Sequence, residues 1–254
     1  MKKTLIALMA MAGVAVADDA SLVWDLSFNG NSSVITNGSA GNYDSLSLTL
    51  NGATIADGVC TSGSGNRVTL FDSGATLRMM DSFSLVIQGG ANSEVPGWGV
   101  LFGFGEANDW NIKVASNKSG TLTFLEEQYN IDDKNGSFTT PYGEMGTYIV
   151  TVDNGGKTQA QQSSAALTLY YNGSVVATAT LGNNNCTAQV LDTFALGGRN
   201  INTGNATNFS FTNVQLYSGV LSESQISTLS IPEPTTATLS LLALAGLAAR
   251  RRRR

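Results

Sequence analysis

The stretch Leu167–Leu181, which reads LTLYYNGSVVATATL, carries the clearest secondary-structure signal in the 254-residue chain. Leu167–Tyr171 and Ser174–Leu181 are rich in β-branched and aromatic residues, which favour strands. Asn172-Gly173 lies between them, and this pair tolerates positive φ at both central positions, as a type I′ turn requires. The stretch therefore predicts two antiparallel strands joined by a two-residue turn.

The same signal recurs on both sides of this hairpin, as short runs separated by Gly, Asn, Asp and Ser. Further strands are predicted at residues 46–50, 67–71, 83–88, 99–104, 110–115, 121–125, 147–153, 194–197 and 209–217, with 24–26 as a candidate first strand. Only Ser222–Leu229 has a helical pattern, with Ser222 as its N-cap. About a dozen short strands at roughly ten-residue spacing predict one all-β domain, an antiparallel sandwich or jelly roll.

Three segments, in chain order, resemble a known family. They are the hairpin LTLYYNGSVVATATL, then Phe194–Arg199 (FALGGR), then Phe211–Leu229 (FTNVQLYSGVLSESQISTL). They are similar to paired strands, a following strand, and the closing strand and helix of LamG-like, or concanavalin A-like, domains. The resemblance implies a LamG-like jelly roll over residues 18–230. Domains of this family often bind glycans or protein ligands, commonly with calcium, and many are only structural.

The C-terminal segment has three parts with different physical properties. Pro232-Glu233-Pro234 interrupts any helix running back into the body. The uncharged stretch Thr235–Ala249 predicts a short transmembrane helix of about 22 Å, against about 30 Å of hydrocarbon core. Five arginines, Arg250–Arg254, should remain cytoplasmic.

This order resembles the PEP-CTERM sorting signal of bacterial exported proteins, which here covers residues 231–254. Pro232, Glu233 and Pro234 match the signature tripeptide. The resemblance implies that an exosortase-type membrane protease recognises the signal, removes the tail and passes the protein toward the cell surface. A plain single-pass tail anchor would use the same residues and is the alternative.

The N-terminus predicts export. Lys2 and Lys3 precede the apolar stretch Thr4–Val14, and Ala15-Val16-Ala17 is a small-residue cleavage site. We therefore predict a signal peptide over residues 1–17, with an uncleaved anchor as the alternative. The protein is expected to cross the inner membrane, to be held by its C-terminal helix, and after processing to lie at the cell surface or outside the cell.

Composition excludes several classes of function. The chain has no histidine, so it lacks Ser-His-Asp and Cys-His catalytic arrangements and the usual zinc sites. Without the two targeting segments, 7 basic and 18 acidic residues remain, a net charge near −11. This argues against nucleic acid or an anionic membrane surface as a partner, because both require basic patches. It is compatible with cation binding or with solubility at a cell surface.

The two cysteines, Cys60 and Cys186, both lie in the predicted exported body. An oxidising compartment makes a disulfide between them a reasonable expectation. It would close a loop of about 125 residues and contribute roughly 4–5 kcal/mol on the chain-entropy account.

The densest acidic cluster lies between Glu126 and Asp133. Glycoside hydrolases of the concanavalin A-like fold place carboxylates on one strand as E-x-D-x-x-E, so that alternate side chains enter one cleft. On a strand, Glu126 and Gln128 would face one side and Glu127 the other, so that motif is absent. We interpret the cluster as a solvated acidic loop and predict that the chain is not an enzyme.

Calcium is a possible cofactor, since it takes six to eight oxygen ligands. Asp132, Asp133 and Asn135 are one candidate group, expected in a loop before Gly136, and Asp25 with Asn29 is another. Neither group has a diagnostic spacing, and such residues are also ordinary turn formers.

Tryptophans are candidates for stacking on sugar rings. Trp98 lies at a predicted loop-to-strand junction, and Trp110 begins a predicted strand. Packing in the core is the alternative for both, and for Trp24. The sequence as a whole favours an exported, non-catalytic sandwich that binds glycan or another ligand in adhesion. A glycan-degrading enzyme and a purely structural matrix protein are the alternatives.

Overall fold

The computed structural model of the chain describes residues 20–28, 34–37, 46–50, 52–63, 68–72, 82–93, 100–105, 111–116, 122–128, 131–153, 155, 165–180, 193–198 and 207–230. These residues form the strands β1 (Ser21–Ser27), β2 (Val34–Asn37), β3 (Leu46–Thr49), β4 (Thr54–Ala56), β5 (Val59–Thr61), β6 (Val68–Asp72), β7 (Phe83–Ala91), β8 (Val100–Gly105), β9 (Asn111–Ser116), β10 (Leu122–Gln128), β11 (Ile131–Phe138), β12 (Gly146–Asp153), β13 (Ala166–Tyr171), β14 (Ser174–Thr180), β15 (Thr193–Leu196) and β16 (Phe209–Ser218), and the helix α1 (Glu223–Leu229).

The strands make two antiparallel sheets. One has the order β14-β13-β12-β7-β16-β1-β2, with β5 also paired to β16 and β4 paired to β5. The other has the order β11-β10-β9-β8-β15-β6-β3. The predicted all-β antiparallel sandwich is therefore confirmed.

The core lies between the two sheets. It is built from apolar side chains of both, including Leu85, Ile87, Val150, Leu169, Phe209, Phe211 and Leu216 from the first sheet and Val68, Leu101, Phe102, Val114 and Leu196 from the second. Alternation along β12 assigns Tyr148, Val150 and Val152 to this core, while Ile149 belongs to a cluster on the other face. A bulge between Phe211 and Asn213 shifts the alternation in β16, so that Val214 and Leu216 also face inward.

A second, smaller apolar cluster covers the outer face of the first sheet. Helix α1 contributes Ile226, which joins Val86, Ile149, Leu221 and Ala20. Ser222 caps the helix: its hydroxyl accepts from the Gln225 backbone N–H at 3.3 Å, and the Gln225 side-chain oxygen accepts from the Ser222 N–H at 3.0 Å. The predicted helix and its N-cap are confirmed.

The predicted hairpin around Asn172-Gly173 is also confirmed. Asn172 and Gly173 have φ values of 48° and 80°, and β13 pairs antiparallel with β14.

One prediction about the fold is wrong. The acidic segment read as a loop is a hairpin of β10 and β11, in which Asp133 is paired with Glu126 and Asp132 with Glu127. Asp132, Asp133 and Asn135 therefore occupy strand positions. Pairing with β10 overrides the turn preference of Asp, Asn and Gly in this segment.

The targeting segments lie outside the described residues. This applies to the signal peptide over residues 1–17 and to the sorting signal over 231–254. Within the described ranges, no helix combines the length and the apolar character needed to cross a membrane.

Candidate functional site

A groove of about 560 Å³ runs along the outer face of the first sheet, between the β13–β14 turn and α1. We call it the hairpin–helix groove. The hairpin supplies one wall and the helix with its C-cap the other: Tyr170, Asn172, Gly173, Ser174 and Val175, then Glu223, Ile226, Ser227 and Ser230. Its lining combines an aromatic ring, a carboxylate, an amide and hydroxyls.

The hairpin wall is held to the sheet by its turn. The Asn172 side-chain oxygen accepts from the Thr147 N–H at 2.8 Å, and the Asn172 N–H donates to the Thr147 carbonyl at 2.9 Å. Gly173 then faces Ser230, where an added Cβ would lie 3.3 Å from the Ser230 Cβ. The left-handed Asn-Gly turn thus sets how closely the hairpin approaches the end of the helix.

Ser230 lies in the groove lining with its hydroxyl buried. Its backbone N–H donates to the Ile226 carbonyl at 3.0 Å and closes the helix. The residue is only 7% exposed, and its buried Oγ has no hydrogen-bond partner among the described residues. A buried hydroxyl without a partner costs about 1–3 kcal/mol, so a bond to a ligand group is favoured once the side chain turns toward the groove.

Tyr170 and Glu223 lie close enough to interact. Burial raises the pKa of the Tyr170 phenol, and the nearby Glu223 carboxylate raises that pKa further. Tyr170 is partly buried against the outer cluster, while Glu223 is exposed in the first turn of α1. A phenol and a carboxylate thus border one groove, and a few convergent polar groups of this kind orient a ligand in a pocket.

A polar row crosses the same sheet face on β1 and β16. The two Asp25 oxygens accept from the Asn213 side-chain amide at 2.6 Å and from the Gln215 amide at 3.1 Å. The Tyr217 hydroxyl donates to the Gln215 oxygen at 3.2 Å. Asp25, predicted as a calcium ligand with Asn29, therefore has protein donors on both oxygens, and Asn29 lies outside the described residues.

The structure does not test the other predicted site residues. Trp98, Trp110, Pro232, Glu233 and Pro234 lie outside it. Asp132, Asp133 and Asn135 lie on β11. Among the residues the structure describes, no three or more His, Cys, Asp or Glu side chains are grouped to hold a metal ion.

Cys60 is fully buried in β5 and is unpaired among the described residues. Burial disfavours the thiolate and raises the pKa of Cys60 to about 12. Cys186 lies outside the described residues, so the Cys60–Cys186 disulfide stays a prediction.

The groove residues were missed as a site by the sequence analysis, although both its walls were predicted as elements. The Asn172-Gly173 turn and the Ser222 cap are visible in the sequence because each depends on neighbouring residues. Their approach in space depends on how α1 packs across the sheet, which no local pattern encodes.

Fold and groove together define the class: a two-sheet jelly-roll domain with a polar groove on one outer face. Residues 91–227 match a family model described as "Concanavalin A-like lectin/glucanases superfamily". The chain belongs to this superfamily, which confirms the LamG-like resemblance. No curated protein matches the sequence.

Solved structures with the same fold include domains of larger proteins. Domain 4 of AbnA, a GH43 extracellular arabinanase from Geobacillus stearothermophilus, in complex with arabinotriose, is 18% identical with a TM-score of 0.59, covering 84% of this chain and 100% of that one. A Trypanosoma rangeli sialidase in complex with 2,3-difluorosialic acid is 17% identical with a TM-score of 0.61, covering 82% of this chain and 32% of that one. The binding domain of Botulinum Neurotoxin DC in complex with SialylT is 17% identical with a TM-score of 0.56, covering 82% of this chain and 50% of that one. The chain thus spans about a third of the sialidase, and at these identities the likeness concerns the fold.

Proposed function

We propose that this protein is an exported, non-catalytic domain that binds carbohydrate in the hairpin–helix groove. The observation that carries the proposal is the groove lining, in which Tyr170, Glu223 and Ser230 border one concavity. Aromatic rings cover the apolar faces of sugars, and convergent polar groups bond to sugar hydroxyls.

Proteins of the same fold support this proposal. Domain 4 of AbnA, all of which is covered by the match, is in complex with arabinotriose, and the neurotoxin binding domain is in complex with SialylT. The fold therefore accommodates carbohydrate ligands.

Binding rather than hydrolysis is favoured by the carboxylate count in the groove. Glycoside hydrolysis by the usual route needs two carboxyl groups on either side of the scissile bond. Of the described residues that line the groove, Glu223 alone carries a carboxylate.

Loss of the Tyr170 ring is expected to weaken glycan binding at least tenfold, because buried aromatic contacts contribute about 2 kcal/mol or more at binding hot spots. The measurement is a glycan array followed by titration of Tyr170→Ala, with thermal unfolding recorded to show that the variant folds. Tyr142→Ala is the matched control, since Tyr142 is 49% exposed and lies on a loop outside the groove lining.

Two results would contradict this proposal. Release of reducing sugar, lost on Glu223→Gln or Glu126→Gln, would identify an enzyme. Absence of both binding and turnover across the array would leave a structural matrix protein.

We further propose that the C-terminal signal directs sorting of the exported domain. Helix α1 ends at Leu229 with Ser230 as its C-cap, so the described fold closes just before Pro232-Glu233-Pro234. Mass spectrometry of the surface-exposed protein is expected to find a new C-terminus near Pro234, because a sorting protease would remove the helix and the arginines. An intact Arg254 end on that form would instead make the tail a plain anchor.

A further inference from the structure

The described lining of the hairpin–helix groove contains an acidic residue and no basic one. Glu223 carries its formal charge, the other lining residues are neutral, and none of the described lining residues is Lys or Arg. The predicted exported body adds a net charge near −11, from 7 basic and 18 acidic residues. A carboxylate entering the groove would therefore meet like charge without a cation to pair with.

Two anchoring groups stand at opposite ends of the groove. Glu223 and Ser230 are separated by the length of α1, about 10 Å at 1.5 Å per residue. Glu223 offers an exposed acceptor, and Ser230 offers a hydroxyl that reaches the groove when its side chain turns out of the buried position. A single sugar ring is too short to reach both, so the spacing suits an oligosaccharide.

We propose, resting on the carbohydrate-binding function above, that the groove selects oligosaccharides without acidic groups and prefers those bearing a protonated amine. The ammonium group pairs with the Glu223 carboxylate, while a hydroxyl further along the oligosaccharide bonds to the Ser230 Oγ once that side chain has turned toward the groove. Sialic acids and uronates are disfavoured by repulsion from Glu223. This separates the chain from the similar sialidase whose structure contains 2,3-difluorosialic acid and groups it with the domain that is in complex with arabinotriose.

An alternative role for Glu223 is purely structural, in stabilising the helix. An acidic residue in the first turn of a helix is stabilised by the helix dipole, and this would hold without any ligand. A role limited to the helix would leave the choice among glycans unaffected when the charge is removed, which makes ligand selectivity the decisive readout.

The test is titration of the purified exported protein with three sets of oligosaccharides: glucosamine oligomers, arabino-oligosaccharides and oligogalacturonates, each at low and high salt. The first two sets are expected to bind, and the third to bind about two- to fivefold more weakly than the neutral set at low salt, with a smaller difference at high salt. Binding of glucosamine oligomers should weaken with salt, because ion pairing is screened.

Two variants test how the charge of the groove lining affects ligand selectivity. Glu223→Gln keeps the shape of the side chain and is expected to lower the affinity ratio of glucosamine to arabinose oligomers by about two- to fivefold, the usual range for an exposed ion pair. Val175→Arg introduces a cation at a 57% exposed position in the lining and is expected to raise the affinity for oligogalacturonate relative to the neutral set. Tyr142→Ala should change none of these ratios.

The outcomes separate this inference from the proposed function. Oligogalacturonate binding equal to neutral binding, and lost in Tyr170→Ala, would overturn the charge selectivity while supporting the groove as a glycan site. An unchanged ratio in Glu223→Gln would likewise overturn it. Failure of all three sets to bind would overturn the proposed function as well.

Discussion

Replacing Gly197 by alanine is expected to lower the free energy of unfolding by about 2–5 kcal/mol, from backbone strain and from overpacking together. Gly197 has a φ of 73°, in the left-handed region that costs other residues about 1–2 kcal/mol. An added Cβ would also overlap the Ser62 hydroxyl and its Cβ, and forced insertion into a packed interior costs typically about 1–3 kcal/mol.

The Ser62 side chain has no free space into which it could move away from an added Cβ at position 197. It is fully buried, and its hydroxyl lies 2.9 Å from the Thr207 carbonyl, to which it donates, while it also accepts from the Phe209 N–H at 3.3 Å. The Gly197 backbone is also fixed in position. Its N–H donates to the Leu101 carbonyl at 2.6 Å, and its carbonyl accepts from the Thr207 N–H at 2.8 Å. These bonds join the end of β15 to the entry of β16, and so connect the two sheets.

Denaturant unfolding of Gly197→Ala and Gly143→Ala separates the cost of backbone strain from the cost of overpacking against Ser62. Gly143 has a similar φ of 76°, but an added Cβ there meets nothing within 4 Å. Gly143→Ala should therefore show the strain alone, about 1–2 kcal/mol. Equal losses in the two variants would show that the contact with Ser62 relaxes without cost.

Features that depend on neighbouring residues were predicted well from the sequence. The Asn172-Gly173 turn forms a left-handed hairpin since that dipeptide accepts positive φ twice. The helix begins after Ser222 because Ser222 and Gln225 cap each other within one turn. Neither feature needs information from elsewhere in the chain.

Features that depend on distant pairing were not predicted. Strand β11 contains Asp132, Asp133, Asn135 and Gly136, a composition typical of turns, and it is a strand because β10 pairs along it. The short strands β4 and β5 have too few residues to show alternation. The bulge after Phe211 shifts the inward-facing set in β16, and this shift is decided by the pairing with β7.

The candidate site illustrates the same limit. Its walls, residues 170–175 and 223–230, are about 50 positions apart in the chain and were predicted as separate elements. Their approach follows from the packing of Ile226 against Val86 and Ile149. The carboxylate, ring and hydroxyl of the groove become one site only through that contact.

Stability is expected to fall steeply above pH 9 in the reduced protein. Burial raises the pKa of the Cys60 thiol from 9.0 to about 12. Burial likewise raises the pKa of the Tyr148 phenol, with a contribution from Tyr171 and partial opposition from the Thr140 hydrogen bond. The folded state therefore holds both protons more tightly than the unfolded state. The stability from Cys60 is complete below pH 9.0 and is lost as the pH rises through about 12, because the unfolded thiol ionises first.

Each such group lowers the free energy of unfolding by about 1.4 kcal/mol per pH unit within its window. The ordinary pKa values of the thiol and the phenol are 9.0 and 10.0. Between pH 9 and 10, Cys60 therefore accounts for most of the decrease in the free energy of unfolding. Denaturant unfolding with reductant present should show this slope in the parent protein and lose it in Cys60→Ala. Tyr148→Phe should reduce the slope only above pH 10, and Tyr142→Phe, at an exposed position, should leave it as in the parent.

The same titration examines the predicted disulfide. If Cys60 pairs with Cys186 in the oxidised protein, no thiol remains to ionise, and the slope between pH 9 and 10 should disappear without any substitution. Oxidised and reduced samples with the same slope, together with two alkylatable thiols after unfolding, would show that the pair does not form. A slope that persists in reduced Cys60→Ala would contradict the assignment to the buried thiol, since the mutation removes the group while the core phenols remain.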